Sequence, residues 1–113
     1  MSDCLFCRIA AGEVPAQMVH QDAHIVAFRD IAPKAPVHIL VVPRHHWTSL
    51  AAVPDGEAPV LGHLLEACRD LAVGLGLGDG YRVVVNTGPD GGQTVDHLHV
   101  HLLGGRAMEW PPG

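Results

Sequence analysis

Residues 95–105 read VDHLHVHLLGG. On an extended chain alternate side chains point the same way, so this segment is expected to be a strand with His97, His99 and His101 on one face. Leu98, Val100 and Leu102 then point to the other. The apolar row suits a core. The imidazole row is an unusual way to fill a polar face, because histidine is the side chain whose charge changes near neutral pH. Three imidazoles in register suit either a metal site or a nucleophile with supporting groups.

Immediately upstream, NTGPDGGQT (residues 86–94) is rich in turn formers. Gly88, Gly91 and Gly92 let backbone amides approach an anion closely, and Gln93 and Thr94 add side-chain donors. Further out, AQMVH (16–20), HIVAFRD (24–30), VHILVVP (37–43) and YRVVVN (81–86) read as strands punctuated by Pro and Gly. In the second of these, Ile25, Ala27 and Arg29 alternate with Val26 and Phe28. The third is apolar on both faces and so is expected inside a sheet. CLFCRIAAG reads as a short helix stopped by Gly12. Between Pro54 and about Leu77 the period changes: Val60, Leu61, Leu64, Leu65, Cys68, Leu71 and Leu75 recur at helical spacing. Strands joined by turns, with helices apart from them, predict an α+β fold: an antiparallel sheet of about five strands, one long helix and one short one.

The chain has 113 residues, 48% of them hydrophobic and 17% charged, which fits one domain over 1–113 with a core of its own. No apolar run is long enough to span a bilayer and no secretion signal is evident, so the expectation is a cytoplasmic protein without membrane attachment. A formal net charge of −5 argues against nucleic acid as a partner. Three cysteines cannot all pair, which favours reduced thiols. Cys4 and Cys7 stand at C-x-x-C spacing, which is compatible with half a zinc site, a redox pair or two buried thiols. Cys68, on the apolar face of the long helix, reads as core.

HLHVHLL is similar to the H-x-H-x-H-x-x pattern, with apolar x, of the histidine-triad (HIT) family. The resemblance, closest to the Hint branch, extends over DCLFCRIAAGEVPA, VAFRDIAPKAPVHILVVPRHH, NTGPDGGQTVDHLHVHLLGG and the terminal WPPG. It implies a two-fold homodimer and a purine-nucleotide site that hydrolyses nucleoside 5'-phosphoramidates. It implies His99 as nucleophile, His101 as donor to a phosphate oxygen or the leaving group, Thr94 near the leaving amine, and His38 as a further active-site histidine. Leu5, Phe6, Ile9, Phe28 and Ile31 would line the purine slot and Asp30 would accept from the ribose hydroxyls. Asn86, Gly92 and Gln93 would meet the phosphate, and Trp110, on the C-terminal segment, would reach the substrate pocket of the partner in the dimer. Members with the cysteine pair also resemble this chain at PRHH, which implies a structural zinc on Cys4, Cys7, His46 and His97. Two alternatives stay open: a dinucleoside polyphosphate hydrolase, and a nucleotide-binding or scaffold protein with little turnover.

Overall fold

The computed structural model describes residues 3–113. Helix α1 (Leu5–Ala10) is followed by strands β1 (Met18–Gln21), β2 (Ile25–Arg29) and β3 (Val37–Pro43), a single 3-10 turn (Leu50–Ala52), helix α2 (Ala58–Gly74), and strands β4 (Tyr81–Val84) and β5 (Val100–Gly104). The strands form one sheet in the order β1-β2-β3-β5-β4, antiparallel at every pairing. This is the α+β architecture expected from the sequence.

The two-faced apolar pattern of β2 and β3 has a direct structural cause, because each face of the sheet packs under a helix. Ile25, Ala27, Ile39, Val41, Val100 and Leu102 meet α2 through Leu64, Ala67, Cys68 and Ala72. On the opposite face Val26, Phe28, Leu40 and Val42 meet Phe6 and Ile9 of α1. Cross-strand partners share a face, so the pairs Phe28↔Leu40 and Leu40↔His101 put His101 on the α1 side. His38, two residues from Leu40 and opposite Leu103, is there too. The chemistry-bearing face is therefore the one roofed by the short helix.

Helix α2 is shorter than its apolar period. The span expected from Pro54 to Leu77 includes a turn at Gly56, whose φ of +93° no helix accepts, and the helix starts only at Ala58 with Pro59 in its first turn. At the other end Gly76 has φ +74°; its N–H bonds the Val73 carbonyl and that of Leu77 the Ala72 carbonyl, closing a Schellman motif. Leu77 thus lies beyond the cap, in the core. Leu65, counted on the apolar face, is 54% exposed, and Val73 is exposed beside it on the helix.

The sheet also ends earlier along the histidine segment. β5 begins at Val100, so only His101 of the three is within the strand. The reason is local competition for the carbonyls of the neighbouring chain: the Pro43 carbonyl accepts from the His97 ring and the Trp47 carbonyl from the Leu98 amide. The last ladder pair is Val41↔Val100. Beyond it the backbone bends and sends the imidazoles of His97 and His99 to different places.

A second histidine cluster, which the sequence reading did not single out, ties the β1–β2 turn to α2. Asp22 Oδ2 accepts from His20 Nε2–H at 2.8 Å and from His63 Nε2–H at 2.7 Å, while Oδ1 accepts the amides of His24 and Ile25. Burial raises the carboxyl pKa, but these four hydrogen bonds outweigh it and hold the group well below the usual carboxylate range.

Candidate functional site

A cleft of ≈ 280 Å³ opens between α1, β2 and the histidine segment. Its apolar walls are Leu5, Phe6, Ile9 and Phe28, joined by Val14, Leu40 and Val95; Arg29, Asp30, Thr94, His99 and His101 supply the polar groups. Phe6 stands edge-on to Phe28 and to His99, with ring centroids 5.4 and 5.2 Å away, so one buried aromatic sets both the floor of the slot and the tilt of the imidazole. Val14, Leu40 and Val95 were missed in the sequence because nothing separates them from ordinary core positions.

Hydrogen bonds fix the tautomer of each ring, since a carbonyl oxygen can only accept. His99 Nδ1–H donates to the His97 carbonyl at 2.7 Å, which leaves Nε2 with its lone pair. The Lys34 backbone N–H donates to His38 Nδ1 at 3.0 Å, so the proton of His38 sits on Nε2 and is donated to His101 Nδ1 at 2.8 Å. His101 must then carry its own proton on Nε2. The rings of His99 and His101 lie 5.0 Å apart, centroid to centroid, presenting a bare nitrogen and an N–H donor side by side. Burial pushes the His101 pKa down to about 4, with help from His99 and His38, and burial likewise lowers that of His38. Both rings are neutral at pH 7.

Asp30 serves two neighbours: Oδ1 caps the turn by accepting from the Ala32 amide at 2.8 Å, and Oδ2 lies 3.5 Å from His38 Nε2. Ile31 borders the cleft mouth but is 99% exposed, and Trp110, 83% exposed, is not among the cleft-lining residues. Asn86 lines a separate groove on the other side of His101. The Gln93 amide is committed within its own loop. Its Oε1 accepts from Gly88 N–H, and its Nε2 donates to the carbonyls of Thr48 and Val95. Gly92 has φ +79°, and its N–H donates to the Pro89 carbonyl. At Gly91 a Cβ would fall 2.4 Å from the Thr87 carbonyl oxygen, so that turn admits only glycine.

Behind the cleft four possible ligands converge. Cys4 and Cys7, one helical turn apart around the start of α1, meet His46 and His97 with all donor atoms within 4.8 Å of one another. His97 Nε2–H is held by the Pro43 carbonyl at 2.8 Å, which turns an unprotonated Nδ1 toward Cys4 Sγ (3.3 Å), Cys7 Sγ (3.5 Å) and His46 Nδ1 (3.1 Å). Burial keeps this ring neutral as well. With metal–N bonds of about 2.0–2.1 Å and metal–S bonds of about 2.3 Å, tetrahedral ligands sit roughly 3.3–3.8 Å from each other. The spacing, the mixed S/N donor set and the Pro43 carbonyl that holds the His97 ring by its other nitrogen all fit zinc. Cys68 is elsewhere, buried against the sheet with its thiol pKa raised to about 11 by burial, and takes no part.

Comparison with known proteins agrees with this geometry. The maize protein named 14 kDa zinc-binding protein is 48% identical over 114 residues, covering 99% of this chain and 89% of its own. The crystal structure of a HIT family hydrolase from Legionella pneumophila superposes with a TM-score of 0.96 at 49% identity, covering 98% of this chain and all of that one. A histidine triad nucleotide-binding protein from Candida albicans gives a TM-score of 0.82 at 34% identity, over 96% of this chain and 83% of its own. The model of the HIT domain matches residues 11–108. The chain belongs to the HIT domain family.

Proposed function

We propose that this protein is a purine-nucleotide hydrolase that cleaves nucleoside 5'-phosphoramidates to the nucleoside monophosphate and an amine. One observation carries the reading: His99 keeps a bare Nε2 in a nucleotide-sized cleft, beside the N–H of a neutral His101. In this reading Leu5, Phe6, Ile9 and Phe28 hold the base, and Asp30 Oδ2 accepts from the ribose. Ile31 lies at the entrance. His99 Nε2 attacks the α-phosphorus; the P–N bond breaks as the new N–P bond forms. The departing nitrogen takes a proton from solvent by way of the Thr94 hydroxyl and leaves as the amine, and one proton returns to solvent when water attacks in the second step; the Nε2–H of neutral His101, held in that tautomer by His38, donates a hydrogen bond to a phosphate oxygen or to the leaving nitrogen. Asn86, which borders the groove on the other side of His101, serves the phosphate side in this reading; the Gly92 and Gln93 amides, already bonded to the Pro89 and Gly88 carbonyls, act only by holding the shape of the loop. Water then attacks the nucleotidyl-imidazole and releases the monophosphate with His99 regenerated.

Cys4, Cys7, His46 and His97 would hold zinc. With four protein ligands the metal has no open position, so its contribution is structural: it anchors the residues on either side of His99. The maize relative's name supports this assignment. Thiols kept as ligands suit a reducing, cytoplasmic setting. We also propose a two-fold homodimer, with exposed Leu65 and Val73 of α2, Tyr81 of the edge strand β4 and Trp110 as contact candidates.

The test is a turnover panel on the purified protein with adenosine and guanosine phosphoramidates, diadenosine polyphosphates and acyl-adenylates. Hydrolysis of the phosphoramidates well above the others is expected. Preference for the polyphosphates moves the protein to the dinucleotide class, and binding without turnover makes it a nucleotide-binding module.

A further inference from the structure

His101 lines two spaces at once: the apolar cleft, and on its other side a groove of ≈ 540 Å³ bounded by β4, the segment after β5 and the β2–β3 connection. The walls of that groove carry Lys34, Arg82 and Arg106 and no Asp or Glu, with Pro112 and Gly113 also at its edge. Three of the seven Lys and Arg residues of a chain with net charge −5 thus gather beside the reaction centre, contributed by three separate segments. Among the described residues none of the three enters an ion pair. Each is instead steadied by backbone carbonyls: Lys34 Nζ donates to Ala32, Arg82 Nη2 to Glu109 at 2.7 Å, and Arg106 Nη2 to Lys34 at 3.0 Å. Carbonyls orient a cation without cancelling its charge, so three cations without ion-pair partners line the groove that His101 also borders. Of the substrate, only the α-phosphate and the portion beyond the P–N nitrogen could use them, and three cations exceed the single charge of a phosphoramidate monoester.

We infer that this groove receives the leaving group and selects substrates whose leaving portion is anionic, bearing a carboxylate or a phosphate-type group. The inference rests on the phosphoramidase reading and specifies the part of the substrate on the far side of the scissile P–N bond. Guanidinium forks match either oxyanion, and charge-assisted hydrogen bonds to it are stronger than neutral ones.

The experiment compares kcat/KM for three adenosine 5'-phosphoramidates with one bond type, formed from glycine (carboxylate), aminomethylphosphonate (phosphonate) and glycinamide (neutral). Intrinsic differences between the amines cancel when the anionic-to-neutral ratio is compared between enzymes. Removing charge in Arg82→Gln and in Lys34→Gln should lower that ratio on the order of tenfold, while Arg82→Lys should largely retain it. In the unaltered protein the ratio should fall as salt rises, which needs no variant to fold. The larger of the two anionic ratios identifies which oxyanion the groove prefers. Turnover with a ratio insensitive to both charge removal and salt overturns this inference alone. Absence of turnover on all three substrates overturns the phosphoramidase reading, and this inference with it.

Discussion

The hydrogen bond from His38 Nε2–H to His101 Nδ1 makes stability depend on pH in a way that one substitution isolates. The ordinary imidazole pKa is 6.5, and in the folded protein that of His101 is pushed down to about 4, first by burial and then by His99 and His38. The unfolded chain therefore binds a proton that the native state refuses. Stability from this residue is fully present above pH 6.5 and is lost as pH falls toward 4. Linkage over that window gives a loss of about 1.4 kcal/mol by pH 5.5 and about 3 kcal/mol by pH 4. His38 and His97 are shifted in the same direction, so the whole protein should lose more than this. His101→Asn removes the titration while offering an oxygen near the position of Nδ1 to accept from His38. Urea unfolding of both proteins at pH 7.5, 6.5, 5.5 and 4.5 gives the two stability curves. Their difference should shrink by about 2.6 kcal/mol between pH 7.5 and pH 4.5, the variant being the flatter of the two. Parallel curves would show that His101 is not held neutral by its surroundings and would refute the tautomer assignment built on it.

The remaining expectations concern chemistry, metal, core and assembly. His99→Ala should yield no nucleotidyl-protein in a rapid-quench experiment with labelled adenylate, whereas wild type accumulates an acid-labile, alkali-stable adduct; an adduct in the variant would transfer the nucleophile to another group. Cys4→Ser should sharply reduce zinc content by elemental analysis and lower the melting temperature, and an unchanged metal content would remove Cys4 from the ligand set. Leu102→Ala, which opens a cavity between the sheet and α2 where Leu102 is fully buried, should cost about 2–5 kcal/mol in denaturant unfolding. Light scattering at micromolar concentration should report a dimer, and a monomer there would leave Leu65, Val73 and Tyr81 to be explained otherwise.

The parts of this fold that repeat with a fixed period were legible in the sequence. Alternation in HIVAFRD and the apolar run VHILVVP marked two strands, the second expected inside the sheet, and β2 and β3 both sit between α1 and α2. The C-x-x-C pair is likewise visible because one helical turn brings positions 4 and 7 together. What was not legible depends on atoms far away along the chain. No local pattern says that the Pro43 carbonyl will bond the ring of His97 or that the Trp47 carbonyl will bond the Leu98 amide, yet these two contacts end the strand at Val100. The start of α2 was obscured because Val53 and Pro54 extend the apolar composition past a glycine whose positive φ breaks the helix. Gln93 reads as a donor for an anion, and only the folded loop reveals that three backbone partners already occupy its amide. The basic groove escaped notice because Lys34, Arg82 and Arg106 are scattered singly in an acidic chain and meet only across the sheet.

His97 links the two halves of the site. Its side chain points its unprotonated Nδ1 at Cys4, Cys7 and His46, while its backbone carbonyl accepts from His99 Nδ1–H at 2.7 Å. A metal that fixes the His97 ring therefore also fixes the carbonyl that decides which nitrogen of His99 is bare. The Pro43 carbonyl completes the chain of constraint, since it sets the tautomer of His97 and belongs to the end of β3, the same strand that carries His38. Strand β3 thus steers the His99 ring at one end, through Pro43 and His97, and the His101 ring at the other, through His38. Both proposed catalytic imidazoles would then be oriented by one rigid, doubly covered strand, and loosening the proposed zinc set, through Cys4→Ser for example, should slow formation of the nucleotidyl-protein in the rapid-quench assay.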